Sequence, residues 1–196
     1  MKALTLAALV LAAGCVSTPD LPPVRYYVLR DSGPAAQARP AGLKSRSLLV
    51  QPTSVAAFYD TQRLVYSRSP SERAYYQFAA WTERPGRAFS ELLSERLNAP
   101  STTSGARGHL VLRTRLEEIC HDVSVAPGTL RIEVSAELID SAGRLIGERR
   151  RFARSVPVGE ENAAAAVEAA NRAVAEVLDD IAAWLDGQAA DSVARS

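Results

Sequence analysis

The 196-residue chain contains few cysteines and almost no excess of charge of either sign. Its two cysteines are too few for a disulfide framework, and alone they cannot form a structural zinc site. The chain has 23 basic and 22 acidic residues, so its net charge of +1 lacks the basic excess of a nucleic-acid-binding protein. The hydrophobic content of 47% excludes a disordered chain. We therefore expect a folded domain with no metal site and no nucleic-acid partner.

Long hydrophobic runs are also missing, because the apolar run at the N-terminus is shorter than the roughly 20 residues of a membrane span. Lys2 precedes the apolar stretch Ala3–Leu11, and the small residues Ala12–Gly14 lead into Cys15. This layout is typical of a secretory signal, and its cysteine after Ala-Ala-Gly resembles a bacterial lipobox. We predict a signal peptide over residues 1–14 and lipidation of Cys15 by acyl chains such as palmitate. An ordinary secretory signal with an incidental cysteine is the alternative.

Lipidation would decide where the protein resides. Several acyl chains anchor a protein almost irreversibly, since each buried methylene contributes about 0.8 kcal/mol. Val16 follows Cys15 in place of the aspartate that usually marks retention in the inner membrane. The lipobox resemblance therefore implies the periplasmic face of the outer membrane. Residues 15–24 are predicted to be the lipidated, proline-rich tether, residues 25–187 one domain, and residues 188–196 a flexible tail.

Strand patterns are clearest in the second half of the domain. Leu130–Leu138 alternates apolar and polar residues with period two, as expected of a strand with one buried face. The stretch from His109 to Ala153 predicts an antiparallel meander, with a turn at Asp140–Gly143. Earlier strand candidates are 25–30 and 47–51.

Two helices are predicted by apolar residues at helical spacing. The first runs over about 85–97, with Pro85 in its first turn, and the second over about 160–185, with Gly187 as its C-cap. The first helix permits one parallel crossover between the strands that flank it. We therefore expect a single α/β domain with a mixed, mostly antiparallel sheet and two main helices.

Signals for catalysis are weak. No HExxH, GxSxG, P-loop or GxGxxG pattern occurs. Cys120 and His121 are adjacent on a strand and should point to opposite faces, as should Glu117 and Glu118. The arginine run 149–151 has two interpretations. It could bind lipid phosphates or an acidic partner, or it could form the solvated face of an edge strand, where basic residues prevent unwanted strand pairing. We expect no enzyme and no cofactor besides a covalent lipid on Cys15.

Seven of the twelve aromatic residues lie between positions 58 and 81. Aromatic side chains bury a large area at low entropic cost, so such a cluster is typical of protein–protein contacts. Aromatic residues also fill ordinary cores, and the residue pattern leaves both interpretations open. The candidate partner-binding residues are Phe58, Tyr59, Tyr66, Tyr75, Tyr76 and Trp81.

The same region resembles the ABC-type transport auxiliary lipoproteins, the PqiC-like family. The matching features are Pro52 at a strand end, Tyr59-Asp60, Leu64-Val65-Tyr66, Tyr75-Tyr76 and Trp81. Further matches are Tyr26-Tyr27, Leu138-Ile139-Asp140 with Gly143, and the segment 181–185. Where the family often has Arg-Trp-Ala, this chain has Ala80-Trp81-Thr82.

The resemblance implies a non-catalytic periplasmic lipoprotein that works with an ABC permease and ATPase and with an MCE-domain protein. Such systems move phospholipid or other hydrophobic molecules between the two membranes and support membrane integrity. The lipoprotein would dock the periplasmic partner, and a homo-oligomer is compatible with this role. The alternatives are a lipoprotein that carries lipid itself and an outer-membrane biogenesis lipoprotein without an ABC partner. An envelope hydrolase has no supporting residues.

Overall fold

The structure, a computed structural model, describes residues 21–33 and 47–193. The predicted signal peptide, Cys15 and most of the tether lie outside the described residues, as do the last three residues of the predicted tail. Within the described residues the strands and α-helices are β1 (Arg25–Tyr27), β2 (Leu48–Val50), β3 (Ser54–Val55), β4 (Arg63–Ser67), β5 (Ala74–Trp81), α1 (Pro85–Arg96), β6 (Leu110–Asp122), β7 (Thr129–Asp140), β8 (Leu145–Pro157) and α2 (Ala163–Val193).

The strands form one open sheet in the order β1-β5-β4-β6-β7-β8, with β2 and β3 also paired to β6. The predicted antiparallel meander is confirmed, since β6 pairs with β7 and β7 with β8 in antiparallel register. At the β7–β8 turn the Asp140 carboxylate accepts the backbone N–H groups of Ala142 and Arg144, each at 2.9 Å. Gly143 supplies the positive φ of +80° that the turn requires.

Strand β6 is the centre of the sheet. Its edge away from β7 is covered in succession by β2, β3 and β4, all of them parallel to β6. The parallel crossover that the sequence predicts is therefore present, with Leu48 opposite Leu110. Because most of the long pairings are antiparallel, the predicted mixed, mostly antiparallel α/β fold is confirmed.

The first helix, α1, begins and ends close to its predicted bounds. Its apolar side chains Phe89 and Leu93 are fully buried, as is Leu97 at its end. Gly86 allows the helix to lie directly on β3, because a Cβ there would be 2.2 Å from Val55 Cγ2. The core therefore forms between the sheet and the helices.

The second helix, α2, differs from its prediction at both ends. It begins three residues later than expected, because Asn162 caps it by accepting the Ala165 backbone N–H at 2.9 Å. The prediction of a C-cap at Gly187 was wrong, since the helix continues through Gly187 to Val193. A glycine lowers helix propensity by only about 1 kcal/mol, and this helix packs along the core over most of its length.

A buried ion pair fixes the segment that follows β1. The side chain of Arg96, at the end of α1, is only 6% exposed and binds Asp31 through Nε at 2.8 Å and Nη2 at 2.5 Å. It also contacts the Asp179 carboxylate of α2. Beside it, the Arg30 backbone N–H donates to Asn171 Oδ1 at 2.9 Å. The residues after β1 are thereby attached to both helices.

The arginine run lies on β8, an edge strand, as one of its two interpretations predicts. Arg149 pairs with Glu137 at 2.5 Å and Arg151 with Glu133 at 3.0 Å, both acidic partners on β7. These ion pairs account for the two charges within the sheet itself.

Candidate functional site

The structure separates the six aromatic candidates into two groups. Trp81 is 4% exposed and Tyr59 is 8% exposed, and both belong to the hydrophobic core. The expectation that these two contact a partner is therefore corrected, because neither presents a surface. Sequence alone does not distinguish them, since the residues that cover Tyr59 come from distant strands: its hydroxyl contacts Glu118 of β6 at 3.4 Å.

Three of the other four candidates border an open groove of about 750 Å³. We call this the aromatic groove. It lies between β1, β4 and β5 on one side and the start of α2 on the other. The aromatic residues that line it are Tyr27, Tyr66, Tyr75, Tyr76 and Phe78, and the charged residues are Arg25, Arg68 and Glu161. Of the predicted candidates, Tyr66, Tyr75 and Tyr76 are brought together here.

Contacts among the rings hold the groove in shape. The Tyr66 and Tyr76 rings lie 5.1 Å apart, and the Arg68 guanidinium lies over Tyr66 at 4.9 Å. Phe58, which is 39% exposed, stacks on Tyr75 at 4.9 Å from outside the lining. Such cation–π and stacked contacts contribute about 0.5–1.5 kcal/mol each. The rings are therefore ordered before any partner arrives.

A buried histidine supports the inner wall of the groove. The Tyr76 hydroxyl lies 2.7 Å from His121 Nδ1, and His121 Nε2 lies 3.0 Å from the Pro127 carbonyl oxygen. A carbonyl only accepts, so Nε2 carries the proton and the Tyr76 hydroxyl donates to Nδ1. Burial lowers the pKa of His121 below its ordinary value of 6.5 and raises the pKa of Tyr76 to about 12. The sequence gives no signal for this pair, whose members are 45 residues apart.

We expect the stability of the domain to fall as the pH decreases below about 6.5. In the folded state the pKa of His121 is lowered, so its ring stays neutral at a pH where the histidine of the unfolded chain already binds a proton. Between these two pKa values each decrease in pH therefore stabilises the unfolded chain relative to the folded domain. Urea unfolding at pH 7.5 and 5.5 measures the loss for the wild type and for His121→Gln. The variant should lose less stability over this interval, and an equal loss in both proteins would contradict the role of His121.

The remaining polar candidates have structural partners. Cys120 and His121 point to opposite faces, as predicted, and burial raises the pKa of Cys120 to about 12. The prediction that Glu117 and Glu118 point to opposite faces was wrong, because a bulge at Glu117 brings both carboxylates to the face of β7 that carries Ser135 and Arg131. Glu117 accepts the Ser135 hydroxyl at 3.0 Å and pairs with Arg115 at 2.9 Å. Glu118 accepts Arg73 and Arg131 at 3.1 and 2.9 Å. In this part of the chain the carboxylates act within ion pairs of the sheet, not as a pair facing a substrate.

The second histidine, His109, also has a structural partner. Ser47 Oγ lies 3.0 Å from His109 Nδ1, but it also accepts the His109 backbone N–H at 3.1 Å and so caps the start of β6. Within residues 21–33 and 47–193, no three His, Cys, Asp or Glu side chains are grouped so as to hold a metal ion. None of the helices in these ranges has the length and apolar character that crossing a membrane requires.

Comparison with known proteins identifies the family. The model of the family described as the ABC-type transport auxiliary lipoprotein component matches residues 27–182. No curated protein matches the chain. A solved DUF330 protein from Xanthomonas campestris superposes with a TM-score of 0.72 at 18% identity, covering 88% of this chain and 100% of that one. An uncharacterized protein of known structure gives a TM-score of 0.65 at 17% identity, covering 84% and 99%.

These likenesses show that the fold is shared, and the family match extends from β1 into α2, across both walls of the aromatic groove. The resemblance drawn from the sequence motifs is therefore confirmed. The chain belongs to the family of ABC-type transport auxiliary lipoprotein components.

Proposed function

We propose that the chain is a non-catalytic accessory of an ABC transport system, and that it docks a periplasmic partner through the aromatic groove. The partner would be an MCE-domain protein of a system that moves phospholipid or other hydrophobic molecules. The observation that carries the proposal is a concave groove lined by the partly exposed Tyr66, Tyr75 and Tyr76 together with Arg25 and Arg68. Tyrosine and arginine are the residue types in which binding energy concentrates at protein interfaces.

The internal contacts of the groove support docking. Tyr76 is fixed by His121, and Arg68 covers Tyr66, so few side chains lose freedom when a partner binds. Each rotamer-rich side chain immobilised on binding costs about 0.5–1.5 kcal/mol, and a groove that is already ordered avoids much of that cost. Its charged rim, Arg25 and Arg68 facing Glu161, favours a partner segment with polar groups at its edges.

A non-enzymatic role fits the polar contacts. The cysteine, histidines and paired carboxylates that the sequence offers for chemistry are each engaged in structural contacts or buried alone. The family description as an auxiliary component agrees with this. Membership of an ABC-type family also favours this proposal over a lipoprotein that works without an ABC partner.

Site-specific photocrosslinking in cells tests the docking site. A photoreactive phenylalanine analogue placed at Arg68, on the rim of the groove, should yield a covalent adduct with the MCE-domain protein. The matched control is Leu145, which is 49% exposed and lies on the opposite edge strand. An adduct from position 145 alone would show that the partner does not dock in the aromatic groove. If neither position gives an adduct at normal protein levels, the MCE-domain protein is not the partner.

The proposed anchor is tested separately. Outer-membrane attachment through Cys15 predicts that Cys15→Ala moves the protein from the outer-membrane fraction to the soluble periplasm. Fractionation of cells followed by immunoblotting measures this. A variant that stays with the outer membrane would show that Cys15 is not the anchor. A wild-type chain found in the inner-membrane fraction would show that the protein is not sorted to the outer membrane.

A further inference from the structure

Exposed apolar side chains are concentrated at the start of the domain. Among the described residues, Leu21, Val24, Tyr26 and Val28 are 70%, 44%, 66% and 50% exposed. The last three alternate along extended chain, so their side chains lie on one side, which we call the apolar row. The residues between and after them turn the other way: Tyr27 packs against the core and Leu29 is 6% exposed.

No segment within the described residues covers this row. Strand β1 lies at the edge of the described sheet and pairs there only with β5, where Tyr26 lies opposite Ala80. Alanine is too small to cover a tyrosine ring, so the ring remains exposed. The row cannot swing away from the domain, because Arg30 is hydrogen-bonded to Asn171 and Asp31 is paired with Arg96 directly after it.

The charge of the segment is of one sign. Residues 21–30 contain Arg25 and Arg30 but no aspartate or glutamate. Arg30 is exposed and follows Val28 by two positions, so it continues the side of the row, whereas Arg25 lies on the other side. A basic residue beside an apolar row favours a surface with anionic lipid headgroups, and tyrosine is enriched at the depth of those headgroups.

The distance to the proposed anchor is short. Leu21 is the sixth residue after Cys15. An extended chain covers at most about 3.6 Å per residue, so the two are at most about 22 Å apart. If Cys15 carries the lipid, as the proposed function holds, the apolar row stays close to the bilayer. This argument rests on that part of the proposed function.

We propose that Val24, Tyr26 and Val28 insert into the interfacial layer of the bilayer to which Cys15 is attached. The side chains of Arg25 and Tyr27 lie on the other side of the same strand and line the aromatic groove. Insertion of the row therefore turns the groove away from the lipid and toward the periplasm. A short lipid tether alone would leave the domain free to rotate, whereas the second contact fixes its orientation.

Spin labelling of the lipidated, full-length chain tests this contact. Nitroxides are attached to Tyr26→Cys, Val28→Cys and the control Leu145→Cys in vesicles of phosphatidylethanolamine and phosphatidylglycerol. Cys120 does not interfere, since it is 1% exposed and its pKa is raised to about 12. At positions 26 and 28 we expect the ratio of oxygen to nickel-chelate accessibility to be severalfold higher than at 145.

Three other results of the spin-labelling experiment would overturn the membrane contact. A chain that floats with the vesicles but shows an aqueous ratio at 26 and 28 would overturn the membrane contact and leave the anchor intact. Labels that are immobile and inaccessible to both reagents would show that a protein, such as a second copy, covers the row instead. A chain that does not float would overturn both the anchor and the contact.

Discussion

Replacing Arg96 by methionine should lower the free energy of unfolding by about 3 kcal/mol, because breaking a buried ion pair leaves one charge without its partner. Asp31 is only 19% exposed and would lose the guanidinium that binds both of its oxygens. For a domain of this size the melting temperature should fall by about 6–12 °C. Thermal unfolding followed by circular dichroism measures the change.

The control for this prediction is Asp179→Asn. Asp179 contacts the same guanidinium, but its side chain is 59% exposed, so we expect a loss of about 1 kcal/mol or less. The double variant Arg96→Met with Asp31→Leu removes both buried charges, and it should be more stable than Arg96→Met alone. Equal losses for Asp179→Asn and Arg96→Met would show that burial does not distinguish the two carboxylates.

Gly128→Ala should destabilise the domain by about 3 kcal/mol, because it combines an unfavourable backbone conformation with a steric clash. The φ angle of Gly128 is +107°, a value that residues with a side chain rarely adopt. An added Cβ would lie 2.4 Å from His121 Nε2 and 2.6 Å from the Asp122 backbone oxygen. The methyl group would therefore displace the histidine that supports Tyr76 in the groove.

Gly143→Ala is the matched control for Gly128→Ala. Gly143 also has a positive φ, +80°, but nothing lies within 4 Å of a Cβ placed there. Its loss should be limited to the conformational cost of about 1 kcal/mol. Urea unfolding of both variants gives the comparison. Similar losses would show that the space beside His121 is not restrictive.

The regular parts of the fold follow from local patterns. The alternation in Leu130–Leu138 predicts both the strand and its buried face, since Ile132 and Val134 are 1% and 0% exposed. The turn at Asp140 is predicted because its chemistry is contained within five residues. The late start of α2 is also explained locally, since Asn162 is a better N-cap than Glu160.

The functional site depends on contacts between distant parts of the chain, which local sequence patterns do not predict. Tyr59 and Tyr75 look alike in the sequence, yet Tyr59 is buried because Arg73 and Glu118 enclose its hydroxyl. Arg96 looks like an ordinary polar helix residue, and its burial depends on Asp31, 65 positions earlier. Whether an aromatic or charged residue ends in the core or at a surface is decided by which distant segments cover it.

The parallel pairing of β2, β3 and β4 with β6 has a consequence for folding. Ser47 and His109, which meet where β2 joins β6, are 62 residues apart in the chain. Non-local pairing of this kind folds in milliseconds to seconds, slower than local helical contacts. Strands β4 and β5 can pair with each other first, but β2, β3 and one edge of β4 have no partner strand until β6 joins them, and until then these edges can pair with a wrong strand.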